Sequence, residues 1–158
     1  LSVVTAASSA ITNTVTETAF STTFSIPANR LRVGSVLSLR ARASVSSGNS
    51  TDTLTLRARL TDAAGAVLGA GLAFDVTNGG GDVGDINLQM VVRTLGAAGT
   101  MMSVGTIGLL TAVQAAGSAG AVTIDTTAAI TLVITAQWSV ASASNSVTMD
   151  GGSLQIVG

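Results

Sequence analysis

Eight carboxylates are the side chains in this sequence best suited to acid–base chemistry, because the chain contains neither histidine nor cysteine. They are Glu17, Asp52, Asp62, Asp75, Asp82, Asp85, Asp125 and Asp150. Glycoside hydrolysis needs two such groups facing each other across a sugar. Most of these aspartates, however, stand at predicted turns, where an Asp side chain caps the local backbone. No G-x-S-x-G sequence marks a nucleophile either. We therefore predict that the chain has no catalytic residues and is not an enzyme.

A glycine-rich segment from Asn78 to Asp85, with Asp75 nearby, offers oxygen ligands of the kind that calcium accepts. The spacing of its acidic residues matches neither an EF-hand loop nor a nonapeptide calcium repeat. A solvated loop is the interpretation that we favour. We expect no bound metal and no other cofactor.

All seven basic residues of the chain are arginines. Four of them lie on two neighbouring stretches of alternating sequence, namely Arg40, Arg42, Arg57 and Arg59. Both stretches are predicted to be strands of one hairpin, so these side chains would share its polar face. Arginine pairs well with carboxylates, since its planar fork matches them in geometry. The hypothesis is an interface with an acidic partner surface or a sister subunit, and the alternative is a solvated face. Nucleic acid is not an expected partner, because the net charge is −1 and aromatic residues make up only 3% of the chain.

Charged residues are scarce, at 9% of the chain, and the mean hydropathy is +0.61. A surface with so few charges repels copies of itself only weakly, which predicts a homo-oligomer. The uncharged stretch 94–124 is long enough to span a bilayer. Because glycine and polar residues interrupt it repeatedly, we expect no membrane-spanning segment.

Hydrophobic residues recur with a period of two along most of the chain, which indicates β-strands. Strands are predicted over 12–16, 20–26, 37–45, 54–61, 87–93, 101–109, 130–140, 147–149 and 154–157, with turns at 47–50, 62–65 and 96–99. The only helical candidate is Leu110 to Ala116. The prediction is a single all-β domain over 1–158, an antiparallel jelly-roll-like sandwich of about eight to ten strands with little helix, in which residues 1–10 form an N-terminal arm. Its predicted core consists of Leu37, Leu39, Leu54, Leu56, Leu60, Leu88, Met90, Ile130, Leu132, Ile134 and Trp138.

Two groups of turn and strand motifs carry a resemblance to a known class of proteins. The first comprises 13–18 (NTVTET), 24–29 (FSIPAN) and 31–34 (LRVG), and the second comprises 124–127 (IDTT), 136–139 (AQWS) and 141–147 (ASASNSV). Together they resemble bacteriophage structural proteins that carry a jelly-roll domain, a class that includes capsid decoration proteins, head fibres and tail-associated modules. The end of the chain, 150–153 (DGGS), departs from the regular final strand of that class.

The resemblance implies a virion structural protein, and the leading expectation is a capsid decoration or cement subunit on the phage head. Its partners would be the major capsid protein or other virion proteins and sister subunits, with a trimer favoured by the local threefold axes of capsids. The alternative is a tail or head fibre module that binds host surface glycans, and a third reading is a bacterial surface adhesin. Glycan sites often use exposed aromatic rings, and the few aromatic residues here favour decoration.

Overall fold

The fold is an all-β sandwich of two antiparallel sheets. It is known from a computed structural model that describes residues 2–110 and 112–157. In this part of the chain there are thirteen strands and no helix. The strands, in chain order, are β1 (Ser2–Val4), β2 (Ile11–Thr12), β3 (Thr18–Ile26), β4 (Val36–Ser46), β5 (Thr53–Leu60), β6 (Val67–Ala70), β7 (Phe74–Asp75), β8 (Asp82–Thr94), β9 (Gly99–Leu109), β10 (Ala112–Gly117), β11 (Val122–Ile124), β12 (Ile130–Trp138) and β13 (Ser146–Val157). The predicted fold class is confirmed, with more strands than expected.

The larger sheet has eight strands in the order β1-β13-β4-β8-β9-β10, with β2 beside β13 and β11 beside β9. The smaller sheet has five strands in the order β3-β12-β5-β6, with β7 beside β5. In each sheet a late strand lies between early ones, since β12 separates β3 from β5 and β13 separates β1 from β4. The core of the sandwich is therefore formed by strands from both the beginning and the end of the chain.

The core forms where the inward residues of the two sheets meet. Every residue predicted for the core is buried, from Leu37 and Leu39 in the larger sheet to Leu54 and Leu56 in the smaller one. Strict alternation explains this outcome, because residues two apart on a strand point to the same face. Strand β12 is an exception, since residues of both parities are buried along most of its length.

The predicted hairpin between 37–45 and 54–61 is wrong. Strand β4 lies in the larger sheet and β5 in the smaller one, so the chain between them crosses the sandwich instead of turning back on itself. A buried polar cluster holds the crossing. The Asn145 side chain donates to Asp52 Oδ2 (2.9 Å) and accepts from Ser47 Oγ (2.8 Å), while Asn49 Nδ2 donates to Asp52 Oδ1 (3.1 Å).

The N-terminal arm is extended and lies along β13. Strand β1 pairs with 152–154, Ser8 exchanges hydrogen bonds with the backbone of Met149, and β2 pairs with Ser146 and Val147. Of the predicted strand over 12–16, only Thr12 lies in a strand, since β2 covers Ile11–Thr12 and residues 13–16 are irregular. The two final strands that were predicted separately are one strand, β13, with a bulge between Met149 and Gly151.

The helical candidate Leu110 to Ala116 is also wrong. Leu110 lies in a turn, residues 112–117 form β10, and Thr111 lies outside the described residues. Most of the uncharged stretch 94–124 forms β9, β10 and β11. No described helix has the length and hydropathy needed to cross a bilayer.

Trp138 anchors the core of the smaller sheet. Its side chain is 1% exposed, and Nε1 donates to the carbonyl oxygen of Ile11 (3.4 Å), which ties β2 to β12. We expect Trp138→Ala to lower the free energy of unfolding by about 3–5 kcal/mol. Urea denaturation measures this loss, with Val140→Ala at an exposed position as the control. A loss below about 1 kcal/mol would contradict the anchoring role.

Candidate binding surfaces

The four arginines of the interface hypothesis do not share a face. Arg40 and Arg42 lie on β4 in the larger sheet, and Arg57 and Arg59 lie on β5 in the smaller sheet. Because the inward residues of both strands fill the same core, the two arginine pairs point away from opposite sides of the sandwich. The hypothesis of one four-arginine surface is therefore wrong in its geometry.

Arg57 and Arg59 bind a carboxylate of their own chain, that of Glu17. Arg59 donates through Nε to Oε1 (2.6 Å) and through Nη2 to Oε2 (2.8 Å), which is the bidentate geometry that favours arginine. Arg57 donates through Nη1 to Oε2 (3.1 Å). All three side chains are largely buried, at 16–22% exposure.

Neighbouring groups complete this Glu17 cluster, which we define as Glu17, Arg57, Arg59, Thr135 and Gln137. The Thr135 hydroxyl donates to Glu17 Oε1, and Gln137 accepts from Arg57 Nη1 (3.0 Å). The cluster covers the outer side of β12, which explains why Thr135 is fully buried although it points away from the core. These arginines stabilise the fold and are already paired, so they do not form an open docking face.

The cluster determines the protonation of Glu17. Burial alone would raise the pKa of this carboxyl, but hydrogen bonds from Arg59 and Thr135 and the charges of Arg57 and Arg59 hold it below the ordinary value of 4.5. The ionised form is therefore more stable in the folded chain than in the unfolded chain. The resulting stability is complete above the unfolded pKa and is lost as the pH falls through the folded pKa.

Arg40 and Arg42 are exposed on the outer face of the larger sheet. Arg42 Nε lies 3.6 Å from Asp150 Oδ2, a loose contact in which the arginine side chain stays 65% exposed. Within residues 2–110 and 112–157, Arg40 has no ion pair. A shallow depression of about 320 Å³ lies between the two arginines, Asp85 and the backbone of 151–153, beside the bulge of β13.

The structure brings together a second group of arginines whose proximity the sequence did not predict. Arg30 and Arg32 lie in the segment that joins β3 to β4, and Arg93 lies near the end of β8. Hydrogen bonds between Gly34 N and Val92 O (2.9 Å) and between Val92 N and Ser35 O (3.0 Å) bring these segments together at one end of the sandwich. Nothing in the local sequence indicates this proximity, because it depends on how β4 pairs with β8.

The acidic residues in and near the glycine-rich segment, Asp75, Asp82 and Asp85, do not form a cluster. Asp82 accepts hydrogen bonds from Thr77 through both carboxylate oxygens, Asp85 lies opposite Arg42 in the strand register, and Asp75 lies on the edge strand β7. Among the described residues, no three acidic side chains lie close enough together to hold a metal ion.

The aromatic residues offer no platform on which a sugar could stack. Phe20, Phe24, Phe74 and Trp138 are the only aromatic residues in the sequence, and each is at most 2% exposed. The fold uses all four in the core. The burial of these rings leaves no exposed aromatic side chain to contribute to ligand binding.

No protein-family model and no curated protein matches the chain. Among solved structures, the chain is similar to the CBM2 module of the evolved Dit of Lactobacillus casei BL23 phage J-1. The sequence identity is 13%, the TM-score is 0.35, and the match covers 84% of this chain and 66% of that structure. This likeness is too distant to carry a functional assignment.

The Glu17 cluster predicts a specific loss of stability in acid. We expect Glu17→Gln to lower the free energy of unfolding by about 1–3 kcal/mol at pH 7, since it leaves two arginines without a charged partner. The difference between parent and variant should begin to shrink as the pH falls below the ordinary value of 4.5, where the unfolded chain binds a proton, and should vanish only as the pH passes the lower pKa of the folded chain, where the parent carboxyl is protonated too. Urea denaturation from pH 7 to pH 3 tests this, with the exposed Asp75→Asn as the control. A difference that stays constant with pH would contradict the assignment.

Charge reversal should affect the stability of the fold differently at the two arginine pairs. Arg57→Glu with Arg59→Glu places two carboxylates against Glu17 in a largely buried cluster, so we expect a marked fall in the melting temperature. Arg40→Glu with Arg42→Glu changes exposed side chains and should alter the melting temperature little. Equal melting temperatures for the two double variants would refute the structural role of the Glu17 cluster.

Proposed function

We propose that the chain is a virion structural protein, a decoration subunit that docks on the capsid surface through the outer face of the larger sheet. The observation that carries this proposal is the state of Arg40, which lies on that face without an ion pair in the described part of the chain. Arg42 beside it is only loosely paired, so both guanidinium groups are available to a partner.

The face around these arginines suits a protein partner. In the strand register Arg40 lies between Asn87 and Ser153, and Ser38 lies between Gln89 and Gln155. Their amides and hydroxyls can donate and accept hydrogen bonds across a broad sheet surface, which is typical of polar protein–protein contacts. The expected partner surface presents carboxylates, because these pair with the arginine forks.

On the opposite face, the arginines of β5 are already paired within the chain. Arg57 and Arg59 both pair with Glu17, which offsets one of their two charges, and the cluster covers the central strand β12. Docking through that side would require breaking pairs that stabilise the fold. On the larger sheet, charge pairing with a partner costs the chain at most the loose contact of Arg42 with Asp150.

Binding of host glycans by a tail or head fibre module is the alternative that the resemblance leaves open. The depression between Arg40, Arg42 and Asp85 contains groups that could bind a sugar. Burial of all four aromatic side chains removes the stacking contact on which glycan sites often rely. For this reason we rank docking on a virion protein above glycan binding.

The proposal is tested on particles of the phage that encodes the chain. Quantitative mass spectrometry of purified heads and purified tails should find the chain in the heads. Particles that lack the chain are then incubated with the purified parent or with Arg40→Glu/Arg42→Glu. We expect the double variant to occupy at least about tenfold fewer sites, because losing one partner of a desolvated charge pair costs about 2–5 kcal/mol.

The matched control is Arg30→Glu with Arg32→Glu, which reverses the same charge on exposed residues at one end of the sandwich. It should reduce occupancy less than the reversal of Arg40 and Arg42. Absence of the chain from purified heads would refute the function. Presence of the chain with unchanged occupancy by Arg40→Glu/Arg42→Glu would refute the docking face.

A further inference from the structure

Two uncharged stretches of the sequence meet on one side of the sandwich. The stretches are 63–74 and 94–124, and together they contain β6, β9, β10 and β11. Leu72 N donates to Gln114 Oε1 (3.2 Å), and Ser103 Oγ donates to the carbonyl oxygen of Leu68, so the edges of the two sheets touch there. This side of the molecule is consequently built from two stretches that contain no charged residue, in a chain where charges are already rare.

This uncharged side ends in an open strand. Strand β10 is the last strand of the larger sheet and pairs only with β9 among the described residues. The register pairs Ala112 with Leu109 and Gly117 with Val104, and Ser118 N donates to Ser103 O (3.2 Å). In an antiparallel ladder, hydrogen-bonded and non-hydrogen-bonded pairs alternate. The backbone groups of Val113 and Ala115 therefore point towards the open edge.

The edge lacks the features that usually prevent strands from pairing between molecules. Natural proteins protect edge strands with lysine or other charges, proline, bulges or a covering loop. Residues 112–117 (AVQAAG) contain no charge and no proline, and their pairing with β9 shows no register shift. Apolar side chains stand around the edge, with Leu72 72% exposed, Leu110 62% and Val113 47%.

We infer that β10 pairs with β10 of a second copy of this chain, antiparallel about a twofold axis. A second copy is the occupant that fits, because an uncharged surface meets its own copy without repulsion and has no charge with which to select another partner. Antiparallel pairing of identical edges is isologous, so one patch serves both copies. The two larger sheets then form one continuous sheet, and the leucines and Val113 become buried at the seam.

This inference goes beyond the proposed function and does not depend on it. It assigns a self-association surface that is separate from the arginine face. The pairing predicts an even number of copies, in contrast to the trimer that the resemblance favours. Either the dimer or the docking can therefore fail in experiment without deciding the other.

The test measures mass and backbone protection on the isolated chain. Light scattering and analytical ultracentrifugation from about 1 to 100 µM should return twice the 15.5 kDa mass of the chain. Hydrogen exchange should show the amides of Val113 and Ala115 protected in the dimer. Leu110→Lys with Val113→Lys should raise the dimer dissociation constant at least about tenfold, since each copy then brings two charges to the seam.

Two further variants keep the test specific. Val3→Lys with Val157→Lys adds the same charge at exposed positions away from β10 and should leave the dimer intact. Ala115→Pro removes an amide that points to the open edge and none from the ladder with β9, so it should weaken the dimer while the circular dichroism spectrum stays that of the parent. A monomeric or trimeric parent would overturn the inference. So would a dimer in which the amides of Val113 and Ala115 exchange freely.

Discussion

A buried carboxylate stabilises the point at which the chain leaves one sheet for the other. Asp52 is 3% exposed and receives hydrogen bonds from the side-chain amides of Asn49 and Asn145. An unpaired carboxylate at this depth would destabilise the fold by several kcal/mol. The amide donors, with Ser47 on Asn145, therefore fix the path from β4 to β5 and tie it to the segment that joins β12 to β13. This crossing places β5 in the smaller sheet, opposite β4.

The crossing separates the charges of the protein into two classes. Because β4 and β5 lie in different sheets, Arg57 and Arg59 meet Glu17 on one face while Arg40 and Arg42 remain exposed on the other. The first pair is largely buried, and Arg59 binds Glu17 in the bidentate geometry in which an ion pair contributes most. The second pair is exposed and contributes little to folding. Arginines that look equivalent in the sequence therefore differ in the structure: Arg57 and Arg59 stabilise the fold, and Arg40 and Arg42 are the pair that we propose for recognition.

The sequence pattern predicts the strands and the core well, and their pairing poorly. Alternation placed Leu37, Leu54 and Trp138 in the core because the inward side of a strand is determined by residues two apart. The same alternation is satisfied whether β4 and β5 form a hairpin or face each other across the core. Choosing between them requires the hydrogen bonds of Asp52 with Asn145, a residue 93 positions away in the sequence. For the same reason, the partnership of Glu17 with Arg59 could not be read from the local sequence.

The open edge of β10 and the arginine face belong to the same sheet, and this gives the two proposals a common geometry. In an antiparallel pair of strands the local twofold axis is perpendicular to the sheet. A dimer joined through β10 would therefore present both outer faces on the same side, each with its own Arg40 and Arg42. A single copy brings only Arg40 and Arg42 to a partner surface. Two rigidly linked copies engage a repetitive surface as one unit, and the second contact forms at a high effective concentration. A protein with seven basic residues can in this way attach firmly to a regular lattice of acidic sites without carrying a strongly charged surface.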